Sequence, residues 1–279
     1  MDVIGIDPAP KRGLQVFDGE DHGIPLQDAQ AYLEMLAGAV DILVTWDAPL
    51  LGPRTCVVAG ESPEGSDLTQ RPIESFFSRA ATGFATPPGI SVQGYAGCQH
   101  WTISRCLLGL PRVGPFDMPA EALPFRLIAR DDCRPVVGRN IVEVHPAVAT
   151  WLWCRKLRPK GSSWYYKSED ETRLELWQLL MARTPLGEVV TTWHYHSLPT
   201  DDELDARVAY GLGRLWLAGS DEVVLLGDED CGAFLVPKVD GVVEALDAFV
   251  GKECRGLGRH GAGLGTTPPP IHVAGKARQ

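Results

Sequence analysis

Short apolar runs that end in, or contain, a carboxylate are the feature that most constrains the fold of this chain. Residues 3–6 precede Asp7, residues 42–46 precede Asp47, and Glu143 lies within an apolar run. Runs of this length and composition are typical of buried strands. A lone buried carboxylate is destabilising by several kcal/mol unless another charge compensates it. One divalent cation would compensate several carboxylates, so the sequence predicts a metal-dependent active site.

Composition restricts the class of protein. The 279 residues allow one large α/β domain or two small ones, and 44% hydrophobic with 22% charged residues is ordinary for a globular protein. No run approaches the roughly 20 apolar residues of a membrane helix, and the start of the sequence predicts no secretory signal. The seven cysteines contain no Cys-x-x-Cys pair. Reduced thiols and a cytoplasmic location are predicted, whereas the oligomeric state is left open.

The net charge of −10 argues against indiscriminate binding of nucleic acid, which depends on neutralising phosphates. A local basic patch would still permit a nucleic-acid enzyme.

The pattern of apolar residues and turns predicts a single α/β domain over residues 1–250. Its first part is an antiparallel meander, a helix and a strand, with bounds 2–7, 13–17, 23–26, 27–37 and 41–46. A Pro- and Gly-rich insertion follows at roughly residues 50–139, with helical stretches near 67–81, 97–109 and 119–129. The last part comprises a strand at 140–145, helices from Pro146, at 169–183 and from 200 to about 218, a hairpin at 222–226 and 233–236, and a helix at 239–250. Residues 251–279 are predicted to be a flexible Gly/Pro-rich tail.

In the helix predicted from residue 200 to about 218, Asp205 lies further from the helix start than Asp201 and Asp202 do. Thr200 and Glu203 form a capping box that starts the helix, and Asp205 lies one turn inside it on the apolar stripe. Asp202 reaches the same side. The alternative for Asp201 and Asp202 is that they simply complement the helix dipole in its first turn.

Asp7 and Asp47 each follow a strand and precede a proline-containing turn. In open α/β sheets the carboxyl ends of strands form the edge where ligands bind. The alternative for either residue alone is a turn-initiating aspartate. Glu143 and His145 are two residues apart, which places both on one face of a strand, where they either serve the site or are half solvated. Convergent carboxylates suit Mg²⁺ or Mn²⁺ and do not suit zinc, which prefers His or Cys ligands.

Five motifs resemble one known family in order and spacing. They are Val-Ile-Gly-Ile-Asp7, Val-Thr-Trp-Asp47-Ala-Pro-Leu, Val-Glu143-Val-His145-Pro146, Asp202-Glu-Leu-Asp205-Ala and Leu-Gly-Asp-Glu-Asp-Cys-Gly-Ala-Phe-Leu-Val-Pro237. The family is that of the predicted RNase H-like nucleases called domain of unknown function four-two-nine. The resemblance spans residues 1–237, although the motifs cover only short parts of that span.

The resemblance implies a ribonuclease H-like fold, with a mixed five-stranded sheet and helices on both sides. It also implies that Asp7, Asp47 and Asp205 bind divalent metal, and that Glu143 and His145 line the same site. The chain departs from the family pattern in having the shorter carboxylate, Asp, on the fourth strand, and residues 50–139 match no motif.

The densest basic and aromatic stretch begins near Trp151. Its cations Arg155, Lys156, Arg158 and Lys160 suit contact with nucleic-acid phosphates, or else form the solvated side of an amphipathic helix. His194 and His196 lie on one side of a predicted strand. The sequence favours a structural role for this pair over metal binding.

Together these observations predict a Mg²⁺- or Mn²⁺-dependent nuclease that hydrolyses phosphodiester bonds in nucleic acid or a smaller phosphoester. Asp7, Asp47 and Asp205 would hold the metal, Glu143 or Asp202 would complete the set, and His145 would transfer a proton. One alternative is a non-catalytic binding module of the same fold. A phosphotransferase of related fold is a weaker alternative, because no glycine-rich phosphate turn follows the first strand.

Overall fold

The computed structural model describes residues 1–9, 12–50, 71–92, 125–190, 198–228 and 231–257. Within these ranges the chain forms eight strands. They are β1 (Asp2–Ala9), β2 (Gly13–Phe17), β3 (Asp21–Pro25), β4 (Ile42–Trp46), β5 (Arg126–Ile128), β6 (Arg139–Glu143), β7 (Val223–Asp228) and β8 (Gly232–Pro237). The same ranges contain seven α-helices: α1 (Ala29–Ala37), α2 (Pro72–Ser78), α3 (Pro146–Cys154), α4 (Asp170–Arg183), α5 (Leu186–Val189), α6 (Asp201–Leu217) and α7 (Val242–Leu257).

A mixed sheet of six strands, in the order β3-β2-β1-β4-β6-β5, forms the centre of the described part of the chain. Strands β1, β2 and β3 are an antiparallel meander. Strands β4, β6 and β5 then extend the sheet from β1 with parallel pairing. The hairpin β7–β8 is a separate pair that meets the main sheet through a bridge between Val144 and Leu235. The predicted α/β class, the meander and the hairpin are confirmed.

Three predictions about the elements need correction. The sheet has six strands within the described ranges, not five, because Arg126–Ile128 pairs with β6. Those residues belong to the stretch 119–129 that was predicted as helix; periodicity cannot distinguish strand from helix in so short an apolar run. Helix α7 continues to Leu257, past residue 250, where the last helix was predicted to end. The stretches 97–109 and 191–197, the latter with His194 and His196, lie outside the described residues.

The two faces of the sheet bury different apolar clusters. Alternate residues of a strand point to opposite faces, so Val3 and Leu43 pack with α3, α4 and α6, while Ile4 and Val44 pack with α1. We call the side of the sheet that carries Val3 and Leu43 the α6 face. Gly5 and Asp7 follow Val3 at intervals of two and therefore also belong to the α6 face.

Gly5 allows α6 to cross β1 at unusually close range. A Cβ atom at this position would lie 2.2 Å from the carbonyl oxygen of Ala206 and 2.5 Å from the backbone nitrogen of Tyr210. Both are backbone atoms, which cannot rotate away. The close crossing sets Asp205, on α6, above Asp7 on the strand.

We therefore expect Gly5→Ala to lower the free energy of unfolding by about 1–3 kcal/mol through overpacking, as measured by urea denaturation. Gly23→Ala in β3 is the matched control, because its new Cβ would meet only the Gln15 side chain, at 3.7 Å. Equal stabilities of the two variants would contradict the close-crossing interpretation.

Candidate metal centre

Asp7 and Asp47 lie side by side where the parallel pairing of β1 and β4 ends. The last paired residues are Ile6 and Trp46, and the Asp47 backbone N–H donates to the Ile6 carbonyl oxygen at 2.9 Å. The next residue on each strand is an aspartate, and both point to the α6 face. Strand β1 itself continues to Ala9 along β2, so Asp7 lies within its strand and not at its end.

Asp205 reaches the same point from α6. The capping box predicted from the sequence is present: the Thr200 hydroxyl accepts from the Glu203 N–H at 3.2 Å, and Glu203 accepts from the Thr200 N–H at 2.7 Å. This fixes where the helix begins, and Asp205 follows one turn later. Its side chain is fully buried.

The three carboxylates converge. One oxygen from each of Asp7, Asp47 and Asp205 lies within 4.8 Å of the other two. Asp7 and Asp205 are buried and Asp47 is partly exposed, so the centre opens on the Asp47 side. Two ligand oxygens on opposite sides of one Mg²⁺ are about 4.2 Å apart. The all-carboxylate donor set and its spacing therefore fit a hard divalent cation, with only small side-chain movements needed.

Tyr166 and Lys167 complete this centre. The Tyr166 hydroxyl donates to Oδ1 of Asp205 at 2.7 Å, and the Lys167 Nζ lies 2.8 Å from Oδ2. Tyr166 is fully buried, whereas 39% of the Lys167 side chain is exposed. The Lys167 ammonium thus offsets the negative charge of Asp205.

Burial and mutual repulsion control the charges of the centre. Burial, followed by the charge of Asp205, raises the pKa of Asp7 well above its ordinary value. Burial, followed by the charges of Asp7 and Asp205, does the same for Asp47. The pKa of the Lys167 ammonium is also raised, chiefly by Asp205. Ionisation of Asp7 and Asp47 is therefore unfavourable without a further cation, which is the condition that a bound metal would relieve.

Glu143 is not among the converging oxygens. Arg71, itself buried, binds Glu143 through both terminal nitrogens, with Nη1 at 2.9 Å from Oε2, and binds Glu74 through Nε at 2.7 Å. Glu143 also accepts from the backbone N–H of Leu50 at 2.9 Å. Burial raises the pKa of Glu143 and the charge of Arg71 opposes this rise. In this arrangement Glu143 holds the segment that follows Asp47.

The register of the sheet explains this position. Glu143 is paired with Trp46, so it shares the face of Trp46 and not that of Asp47, one residue further along. The sequence interval alone does not disclose the register between strands.

His145 lies at the start of α3, near the centre but without a visible partner for Nδ1 among the described residues. Its ring packs edge-on against Phe234 at 5.3 Å. Burial, together with the charges of Lys167 and Arg71, lowers the pKa of His145 to about 3. A group with that pKa is neutral and a poor proton acceptor near neutral pH. Proton transfer by His145 stays a prediction.

Asp202 lies at the rim of the centre and is held by Arg12, whose Nη2 is 2.8 Å from Oδ2. Burial, followed by the charge of Asp201, raises the pKa of Asp202. Its carboxylate is not part of the convergent group.

The four predicted substrate-binding cations do not gather at the centre. They follow α3, whose nine residues span about 13 Å. Arg155 lies over the rings of Phe84 and Trp151, at 4.6 and 5.1 Å. Arg158 is buried and its Nη2 is 2.6 Å from Glu175. The exposed Lys156 pairs with Asp240 at 3.6 Å, and Lys160 is exposed.

Two residues of the centre, Tyr166 and Lys167, were not among the site residues predicted from the sequence, and no local signal connects them with Asp205. Arg71, which binds Glu143, lies in the segment 50–139, where no motif was recognised. Its contact with Glu143 joins residues far apart in the chain and is not visible in the sequence.

The comparisons with known proteins identify a family but no characterised relative. A family model described as protein of unknown function (DUF429) matches residues 5–230, which includes all three carboxylates. No curated protein and no solved structure shows significant similarity to the chain. Among the described helices, none has the length and apolar character needed to cross a membrane.

Proposed function

The chain belongs to the DUF429 family, and we propose that it is a metal-dependent hydrolase of phosphodiester bonds with a ribonuclease H-like fold. One observation carries the proposal: oxygens of Asp7, Asp47 and Asp205 lie within 4.8 Å of one another at a sheet edge. The order of meander, helix α1 and parallel strand β4 supports the fold assignment, with β5 as an additional edge strand. A cytoplasmic location is a further prediction from the sequence.

Each residue has a defined task in this proposal. Asp7, Asp47 and Asp205 hold a divalent cation, either Mg²⁺ or Mn²⁺. Such a cation supplies Lewis acidity to the phosphoryl group and activates water for attack. Tyr166 orients Asp205 through its hydroxyl. Glu143 and Arg71 fix the segment after Asp47 through the Leu50 N–H, so they position the centre and do not bind the ion.

The nature of the substrate follows from charge. A net charge of −10 disfavours long, nonspecific contact with nucleic-acid backbones. The candidate cations Arg155 and Arg158 are already engaged in ring and carboxylate contacts. We therefore propose a nucleic acid or smaller phosphoester that is bound mainly at the centre itself.

A second candidate function is a non-catalytic binding module of the same fold. The contact between Lys167 and Asp205 favours it, because the ammonium already neutralises part of the carboxylate charge. Such a module would not bind metal.

Calorimetric titration with Mg²⁺ and Mn²⁺ separates these functions. We expect the wild-type protein to bind the ions and the Asp7→Asn/Asp205→Asn variant to lose this binding. The matched control is Asp2→Asn/Asp247→Asn, which removes two exposed aspartates from β1 and α7. Circular dichroism verifies that each variant is folded. No binding by the wild-type protein, or equal binding by the first double variant, would overturn the metal assignment and favour the binding module.

A further inference from the structure

The Lys167 ammonium lies against one of the two Asp205 oxygens that a metal ion could use as a ligand. Both oxygens of Asp205 have a close neighbour: Oδ1 accepts from the Tyr166 hydroxyl, and Oδ2 lies 2.8 Å from the Lys167 Nζ. Oδ2 has almost no exposed surface. A divalent cation can therefore reach this oxygen only if the ammonium withdraws, since two cations so close together repel each other strongly.

The segment that carries Lys167 is firmly held. Arg173 donates to the Tyr166 carbonyl oxygen at 2.8 Å and to the Pro199 carbonyl oxygen at 2.7 Å. Pro199 directly precedes the cap of α6, the helix that carries Asp205. One buried arginine thus fixes both the segment with the cation and the segment with its carboxylate. The placement of Lys167 is part of the fold and does not depend on a flexible surface loop.

The Lys167 side chain nevertheless has a way out. Its ammonium lies 2.8 Å from Oδ2 of Asp205, but 39% of the side chain is exposed, and its four-carbon stem is flexible. Tyr166, in contrast, is fully buried and retains its hydrogen bond when the lysine moves. The backbone can therefore remain in place while the ammonium leaves.

We propose that Lys167 is an exchangeable counter-ion of the carboxylate centre: it holds the cation position in the free protein and is displaced when a divalent cation binds. This inference rests on the proposed metal-dependent function and adds a control on its metal affinity. Because the ion must displace a resident charge, the wild-type centre binds metal more weakly than its three carboxylates alone would.

Substitution of Lys167 tests the exchange. In Mn²⁺ calorimetry we expect Lys167→Met to bind about tenfold more tightly than wild type, because a neighbouring cation changes proton affinity at a carboxylate by one to three powers of ten. Lys167→Arg keeps the charge and is expected to bind no more tightly than wild type. Lys156→Met is the control for loss of a lysine, since among the described residues Lys156 pairs with an exposed aspartate at 3.6 Å.

A second measurement uses the unmodified protein, so it does not depend on how a variant folds. We expect Mn²⁺ to increase acetylation of the Lys167 amine, measured by mass spectrometry, with Lys156 as the internal reference. Unchanged or reduced labelling would overturn the exchange, as would equal or weaker Mn²⁺ binding by Lys167→Met than by wild type. If neither wild type nor Lys167→Met binds Mn²⁺, the proposed metal-dependent function itself fails.

Discussion

Asp7→Asn is expected to reduce metal-dependent phosphodiester hydrolysis by about a thousandfold. A metal ion contributes several kcal/mol of charge stabilisation, and each 1.36 kcal/mol or so corresponds to a factor of ten in rate. Asparagine keeps the shape of the side chain but removes the charge that would hold the ion. The measurement is the Mn²⁺-dependent rate on a generic phosphodiester, with Asp2→Asn on the same strand as the matched control. A wild-type rate in Asp7→Asn would remove Asp7 from the centre.

The same variant is expected to be the more stable protein when no metal is present. The folded-state pKa of Asp7 is raised by burial and by Asp205, so above about pH 4 the folded protein binds more protons than the unfolded chain. The free energy of unfolding therefore falls as the pH rises through the raised pKa. Asparagine does not ionise, so Asp7→Asn should have a higher free energy of unfolding than wild type near pH 8.

Urea denaturation over a range of pH tests this expectation. The advantage of Asp7→Asn should disappear as the pH falls below the ordinary aspartate pKa, because wild-type Asp7 is then neutral as well. An advantage that is the same at every pH would show that it does not arise from ionisation. Loss of activity combined with a gain in stability would also show that misfolding does not explain the activity result.

Arg71→Met is expected to cause a large loss of stability, about 3–5 kcal/mol in the free energy of unfolding. Arg71 is 1% exposed and lies between Glu74 and Glu143, both of them buried. Methionine fills much of the same space but leaves two buried carboxylates without their cation. Since Glu143 also accepts from Leu50, three residues after Asp47, we also expect metal affinity to fall.

The matched control is Arg130→Met. Arg130 pairs with Asp132 at 2.9 Å, but both side chains are more than half exposed, and such pairs contribute about 0–1 kcal/mol. Urea denaturation of both variants gives the comparison. If Arg71→Met were no less stable than Arg130→Met, the Arg71–Glu74–Glu143 contacts would not stabilise the fold as described.

Local signals predicted the elements around the centre well. The capping box at Thr200 and Glu203 set the start of α6, Pro146 set the start of α3, and the apolar runs before Asp7 and Asp47 became β1 and β4. These signals depend on local hydrogen bonds and on the spacing of apolar side chains within a few residues, so a single sequence reveals them. The strand Arg126–Ile128 was missed because three residues carry too little periodicity.

Local sequence signals indicate where Asp7, Asp47 and Asp205 lie, since each is next to or within a recognisable strand or helix. Which acids converge depends instead on the packing of these elements. The register of β4 against β6 turned Glu143 to the face of Trp46 and into contact with Arg71. The close crossing at Gly5 and the packing around Arg173 brought Asp205, Tyr166 and Lys167 together. Such contacts join residues far apart in the chain, and their geometry depends on the packing of whole elements, which no short sequence pattern encodes.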